Sequence, residues 1–474
     1  MKDADTRDTG PQTGAAEPSL HRVMGPWLLL LFIVGDILGT GIYALTGKVA
    51  NLVGGAVWLP FLMAFVVALL TAFSYLELVT KYPRAAGAAL YTHRAFGIHF
   101  LTFIVAFAVM SSGITSASTA SRAFAANLSQ SIGLGFEGGI GITIIGLTFM
   151  GLIAAVNLRG VGESVKLNVV LTCVELTGLL IIIVIGLWAI AGGQGDVSRI
   201  TEFKVAEGSS ALWAAVAATT LAFFAMVGFE DSVNMVEETK DPIRTFPKIL
   251  LLGICITGAI YLLVSISAIT LVPAQELGEG ETPLLKVVAA GAPSFPLSIF
   301  GVITMFAVAN SALLNMLMAS RLIYGMSREH VLPPVLGKVH PTRRTPFVAI
   351  AFTTLLAFAL ITVVGEVPAL GGTTALLLLC VFTIVNVAVL VLRRDTVEHR
   401  HFRTPTVIPV LGAVSCAFLA GPWTGRDPVQ YQIAGALLAV GVVLWGVTVM
   451  INRATGVRAS EPLAEDLGGQ SPHN

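Results

Sequence analysis

The feature that most constrains this chain is a succession of apolar runs, each about as long as a bilayer crossing, separated by short polar connections. About 20 apolar residues at ~1.5 Å each cover a ~30 Å hydrocarbon core. Twelve such runs can be marked, at 26–48, 54–77, 97–127, 138–157, 165–191, 213–236, 248–272, 295–327, 346–364, 368–392, 406–424 and 431–452. The chain is 55% hydrophobic and 12% charged, whereas soluble domains carry about 25% charged residues. A water-soluble fold is excluded, and the expected class is an all-α integral membrane protein with 12 transmembrane helices. The eighth run, from Phe295 to Ser327, is longer than one crossing, which predicts tilt or a protruding end.

Charge fixes the expected orientation. Lys and Arg collect on the cytosolic side of membrane proteins. With the N-terminus inside, most of the 28 Lys and Arg fall there, while Lys48, Arg199, Lys204, Lys286 and Arg426 fall outside and Arg122 lies in the outer part of the third run. Both termini are therefore expected in the cytosol, in a multi-pass protein of the plasma (inner) membrane. The polar stretches 1–24 and 453–474 read as disordered cytosolic tails, the first with no apolar core of a signal peptide. Formal net charge is zero, which removes the electrostatic case for nucleic acid. The four cysteines, Cys173, Cys255, Cys380 and Cys416, sit in apolar runs without metal-ligand spacing, so free thiols packed among helices are expected. No metal or cofactor is called for.

Two runs are interrupted. The first, PWLLLLFIVGDILGTGIYALTGK, carries Asp36, Gly39 and Gly41 where the bilayer is driest, and the sixth is broken near Val227-Gly228 with Glu230 and Asp231 just beyond. Glycine weakens a helix, and a carboxylate at that depth costs at least ~2.5 kcal/mol. Irregular backbone is tolerated there only where it lines a protein-walled cavity. The two breaks lie five runs apart with opposite polarity, the pattern of five-plus-five inverted repeats whose discontinuous helices meet at the midplane. The expected organisation is a core over 25–392, with repeats at 25–191 and 213–392, and two further helices over 406–452.

Four segments, GDILGTGIYALTG (35–47), SYLELVTKYPRAAGAALYTHRAFG (74–97), FFAMVGFEDSVNMVEETKDPIRTFP (223–247) and SRLIYGMSREHVLPP (320–334), resemble the amino acid, polyamine and organocation transporter superfamily, specifically its bacterial amino acid permeases. The similarity extends over about residues 22–450. It implies the five-plus-five fold with two additional C-terminal helices, and secondary active transport of an amino acid or related amine. In such a break, N–H groups opening the outer half-helix favour an anion, so Gly39, Thr40 and Gly41 are expected to cradle a carboxylate. Carbonyls near Ile37 and at Phe224, Ala225 and Val227, beside Gly228, are expected to accept from an ammonium group. By similarity these positions grip the α-amino and α-carboxyl groups; close helix packing is the other reading of the two glycines.

Glu175 lies ~15 Å into the fifth run, where several permeases of the superfamily carry a lysine whose ammonium stands in for sodium. Here the sign is reversed; burial and mutual repulsion of Asp36 and Glu175 lead to the expectation that one or both take up a proton during transport, with a neutral or paired packing carboxyl as the alternative. Ser311, beside Asn310 and Asn315, is placed as a sodium-type coupling position or as an interhelical hydrogen-bonding group. Phe223, Phe224 and Phe229 read as an aromatic lid over the substrate or as packing side chains, Phe223, Phe229 and Glu230 are placed as gate residues, and Glu77, Glu237 and Glu238 read as inner-gate partners of Arg84 or Arg94 or as a solvated rim. His399 and His401 read as part of a basic loop. Proton-coupled uptake, exchange, and a non-transporting nutrient receptor remain as functional readings. A membrane enzyme would need a nucleophile with its base, or a metal cluster, within the bilayer, and no His lies inside a run except at its ends; an ATP-driven pump lacks GxxxxGK[ST]. Two intramembrane carboxylates suit a cationic substrate, whereas apolar surroundings at the sixth run suit a neutral one.

Overall fold

A computed structural model of the protein describes residues 24–84, 87–136, 138–160, 164–204 and 210–455. Among these the regular elements are helical, and the β pairing consists of two isolated bridges, Met24 with Thr239 and Gly54 with Phe203. Lipid offers no partner to backbone N–H and C=O groups, so spanning segments satisfy them internally as helices.

In chain order the helices are α1 (Pro26–Ile37), α2 (Thr40–Val53), α3 (Trp58–Lys81), α4 (Gly87–Phe96), α5 (His99–Ser131), α6 (Gly139–Arg159), α7 (Ser164–Ala191) and α8 (Ala211–Ala222). There follow α9 (Pro242–Leu271), α10 (Ala274–Gly278), α11 (Pro283–Gly291), α12 (Leu297–Arg328), α13 (Phe347–Val363), α14 (Val367–Leu392), α15 (Val407–Ala420) and α16 (Pro428–Thr455). Two 3₁₀ segments, Phe223–Met226 and Phe229–Glu238, continue α8.

Among the described residues, ten helical stretches are long and apolar enough to cross a membrane, with Pro26–Val53 and Ala211–Glu238 each taken as one interrupted stretch. The expected long eighth run appears as α12, 32 residues from Leu297 to Arg328. Helices α13 and α15 are apolar but shorter. The 14 residues of α15 rise only ~21 Å, and the helix stops at Ala420 because Gly421 and Pro422 follow. Large apolar side chains such as Leu152, Val184, Trp188, Leu355, Val443 and Met450 face outward. An apolar surface of that extent requires lipid around it, and the protein is a multi-pass membrane protein.

Helix α5 packs along α12 at the centre, where Gly113 brings α5 against the backbone of Asn315. A polar seam joins α3, α14 and α15: Ser74 donates to Asn386 Oδ1 at 2.6 Å, Asn386 donates to Thr71 at 3.1 Å, and Thr71 meets Cys416 Sγ at 3.4 Å. At its end Glu77, 2% exposed, accepts two bonds from Arg393, at 2.9 and 2.8 Å, and one from the Thr404 N–H. Glu77 is therefore a buried tie between α3 and the end of α14, and the solvated-rim reading does not hold for it. Cys416 is buried, but Cys173, Cys255 and Cys380 are exposed instead of packed.

Residues 1–23 and 456–474 lie outside the described residues, so the assigned tails fall almost wholly there. Their inner ends are helical or paired. Met24 is buried, its N–H donating to Glu238 O and its carbonyl accepting from the Lys240 N–H, both at 2.9 Å, and α16 runs on to Thr455.

Candidate binding cavity at the two helix breaks

Both interruptions read from the sequence are present. Helix α1 ends with the Leu38 N–H bonded to Val34 O at 2.8 Å; Gly39 is extended, and α2 restarts at Thr40. In the second break, Val227 is extended and Gly228 has φ +117, a conformation open in practice only to glycine. The breaks touch. A Cβ on Gly41 would lie 2.5 Å from Ala225 Cα, one on Gly228 would lie 2.6 Å from Asp36 O, and one on Gly39 would collide with Ser311 Oγ. These glycines therefore serve close approach of one broken helix to the other and to α12, as the packing reading held, while the same positions border a cavity.

That cavity holds about 620 Å³ of space between atoms, counted with the solvent at its mouth. Of the residues singled out in the sequence, Asp36, Ile37, Gly39, Thr40, Gly41, Phe224, Val227, Gly228, Glu230 and Ser311 line it, with Asp231 and Asn315. The Thr40 N–H points to Ser311 Oγ at 3.4 Å, and the Thr40 hydroxyl, in a residue only 2% exposed, has no hydrogen-bond partner. The Ile37 carbonyl, expected to be free for an ammonium group, already accepts from the Tyr261 hydroxyl at 2.6 Å, so one of its two lone pairs is taken. Glu230 folds back so that Oε2 accepts from the Gly228 N–H at 2.8 Å. It stabilises the break itself.

Other selected residues lie elsewhere. Ala225 packs on Gly41 behind the cavity wall. Phe223 and Phe229 are fully buried against Phe382, with ring centroids 6.1 and 5.4 Å away, and Phe229 also meets Tyr75 at 5.8 Å. They form part of the core beside the cavity, and of the three phenylalanines at the break only Phe224 faces it. Glu175 is fully buried on α7, outside the cavity, with neither carboxylate oxygen bonded; its backbone carbonyl accepts from the Tyr43 hydroxyl at 2.7 Å. Arg122, in the C-terminal part of α5, lies 4.0 Å from Glu281 and donates to Thr143 at 3.0 Å. His399 bonds to Thr80 O at 3.1 Å, and no metal-type cluster exists among the described residues.

The opposite wall was not selected from the sequence. Val109, Ser112, Gly113 and Ser116 of α5, Met318, Ala319 and Leu322 of α12, and Thr374 and Leu378 of α14 complete the lining. Their spacing is the available signal: 109, 112, 113 and 116 form one helical stripe, and 311, 315, 318, 319 and 322 form another.

Fold and cavity together define an integral membrane protein with a partly polar cavity between two broken helices. The chain belongs to the amino acid permease family, whose model matches residues 24–451. It is 26% identical to a branched-chain amino acid permease of Bacillus subtilis over 85% of this chain and 89% of that protein. It is likewise 26% identical to a methylthioribose transporter of Bacillus subtilis, covering 90% and 93% of the two chains. With the mouse cationic amino acid transporter 4, identity is 26% over 81% of this chain and 61% of the relative.

Proposed function

We propose that the protein is a secondary active transporter that takes up amino acids across the plasma membrane by alternating access, coupled to protons, with twelve crossings arranged as five-plus-five inverted repeats and two added helices, and with both termini in the cytosol. The observation that carries this reading is the cavity shared by the two breaks. Backbone N–H groups opening α2 suit a carboxylate, and the remaining lone pair of Ile37 O with the Phe224 and Val227 carbonyls suits an ammonium group. Family membership supports an amino acid as the ligand.

The cavity extends from the breaks toward Val109 and Leu322, nearer the ends of α5 and α12 that lead into the basic, cytosolic connections. At the far end of α2 the segment 274–291 packs against α2 and α5. Gly47 of α2 abuts the Leu277 carbonyl, Lys48 donates to Gly278 O at 3.0 Å, and Thr282 bonds to Gln130. An inward-facing state, with α10 and α11 closing the outer side, accounts for this asymmetry.

Two carboxyls support proton coupling. Asp36 lines the cavity with Oδ2 buried and unbonded, and Glu175 has both oxygens unbonded. A buried carboxyl without a partner is held by a proton or a cation. Accumulation of radiolabelled amino acid in proteoliposomes under an inward proton gradient tests the reading. We expect uptake that collapses with a protonophore, and loss of its pH dependence in Glu175→Gln. Uptake driven only by sodium would move coupling to Ser311, uptake that requires internal amino acid would make the protein an exchanger, and binding without accumulation would make it a receptor.

A further inference from the structure

We propose that the cavity takes an amino acid whose side chain carries a positive charge; this deepens the reading above by naming the substrate class and rests on that cavity being the substrate site. The charge of the lining is one-sided. Asp36, Glu230 and Asp231 all face the cavity, and no Lys, Arg or His among the described residues does. Buried carboxyls are held by a proton or by a counter-cation, and a cationic side chain in the cavity supplies the second.

The three acids are not equivalent. Glu230 is engaged by the Gly228 N–H at 2.8 Å, which ties it to the break. Asp36 Oδ2 is buried with no hydrogen-bond partner. Asp231 stands one residue beyond Glu230 on the same wall, its own N–H used by Gly228 O at 3.0 Å. Asp36 and Asp231 are therefore the lining carboxyls that the Gly228 N–H does not engage.

The start of α2 is donor-rich. Helix α2, 14 residues long, opens on the cavity with its first N–H groups and with the Thr40 hydroxyl, which is buried and has no partner. A carboxylate fits there. A zwitterion with an uncharged side chain brings one positive and one negative group and leaves the net acidity of the lining unchanged. An ammonium or guanidinium side chain adds a cation for the lining carboxyls while the substrate's carboxylate takes the start of α2. An amine without a carboxylate would leave the start of α2 unfilled.

The test is equilibrium binding of lysine, leucine and cadaverine to the purified full-length protein at neutral pH, by calorimetry. Lysine is expected to bind at least tenfold more tightly than either competitor, and Asp231→Asn to reduce that preference tenfold or more, with Asp231→Glu restoring it. Leucine binding as tightly as lysine, cadaverine binding more tightly, or no lysine binding at millimolar concentration would each overturn the proposal, and the wild-type comparison decides it even if the Asn variant does not fold. Uptake into proteoliposomes keeps the two readings apart. Lysine bound but not accumulated removes the transport reading and leaves this inference standing; leucine accumulated with lysine excluded does the reverse.

Discussion

Gly228 stands so close to Asp36 that a methyl group on the glycine would lie 2.6 Å from the aspartate's carbonyl oxygen. Through this contact the second break fixes the first, and the cavity exists because two segments far apart in sequence lose their helical hydrogen bonds at the same place. The pair is tied again at its far end, where Met24 bridges Glu238 and Lys240. Helix α1 and the segment 229–238 are thus joined at both ends.

Gly228→Ala is expected to be damaging for two reasons, the positive φ and the collision with Asp36. Strain of this kind is worth ~1–3 kcal/mol. We expect a lower unfolding temperature in detergent and loss of ligand-induced stabilisation, whereas Gly435→Ala, in open space on α16, should leave both unchanged.

Tyr261→Phe removes the donor that satisfies the Ile37 carbonyl. Leaving a buried acceptor unpaired costs about 1–3 kcal/mol, so the variant should unfold earlier in thermal denaturation. A wild-type melting curve would show that this bond does not support the break.

The Glu77–Arg393 pair is buried, with side chains 3% and 14% exposed. Removing one member of a buried pair costs about 3–5 kcal/mol because the other is left uncompensated. Glu77→Gln and Arg393→Met should each destabilise strongly, and the double variant should recover part of the loss. Additive losses in that cycle would mean the two charges are not coupled.

Glu281, in the connection between α10 and α11, has its carboxyl pKa raised above 4.5 by burial, with Arg122 and Lys48 pulling it back down. A raised value means that the closed structure favours the protonated acid, so its contribution to closure is present at low pH and is lost as pH rises through the raised value. Amide exchange over residues 274–291, corrected for intrinsic rate, should accelerate across that interval. Glu281→Gln should remove the dependence; a wild-type pH profile in the variant would assign it to another group.

Much of this protein is written locally. The apolar runs, the excess of basic residues in alternate connections and the two glycine-acid interruptions depend on the solvent preference and backbone freedom of each segment, and the breaks at Gly39 and Gly228 lie where composition places them. Side-chain direction is a different matter. Phe223, Phe224 and Phe229 are equivalent in sequence, yet one faces the cavity and two pack on Phe382; Glu77 meets Arg393 of a distant helix; the Ile37 carbonyl is taken by Tyr261. Such choices depend on how helices rotate and cross, which is decided by packing among residues hundreds of positions apart. The sequence by itself determined a membrane-embedded helical chain interrupted at two places. Only the tertiary structure decided that the interruptions meet, which wall of α5, α12 and α14 closes around them, and that three carboxyl groups share the space, because proximity across helices is a property of packing and not of local composition.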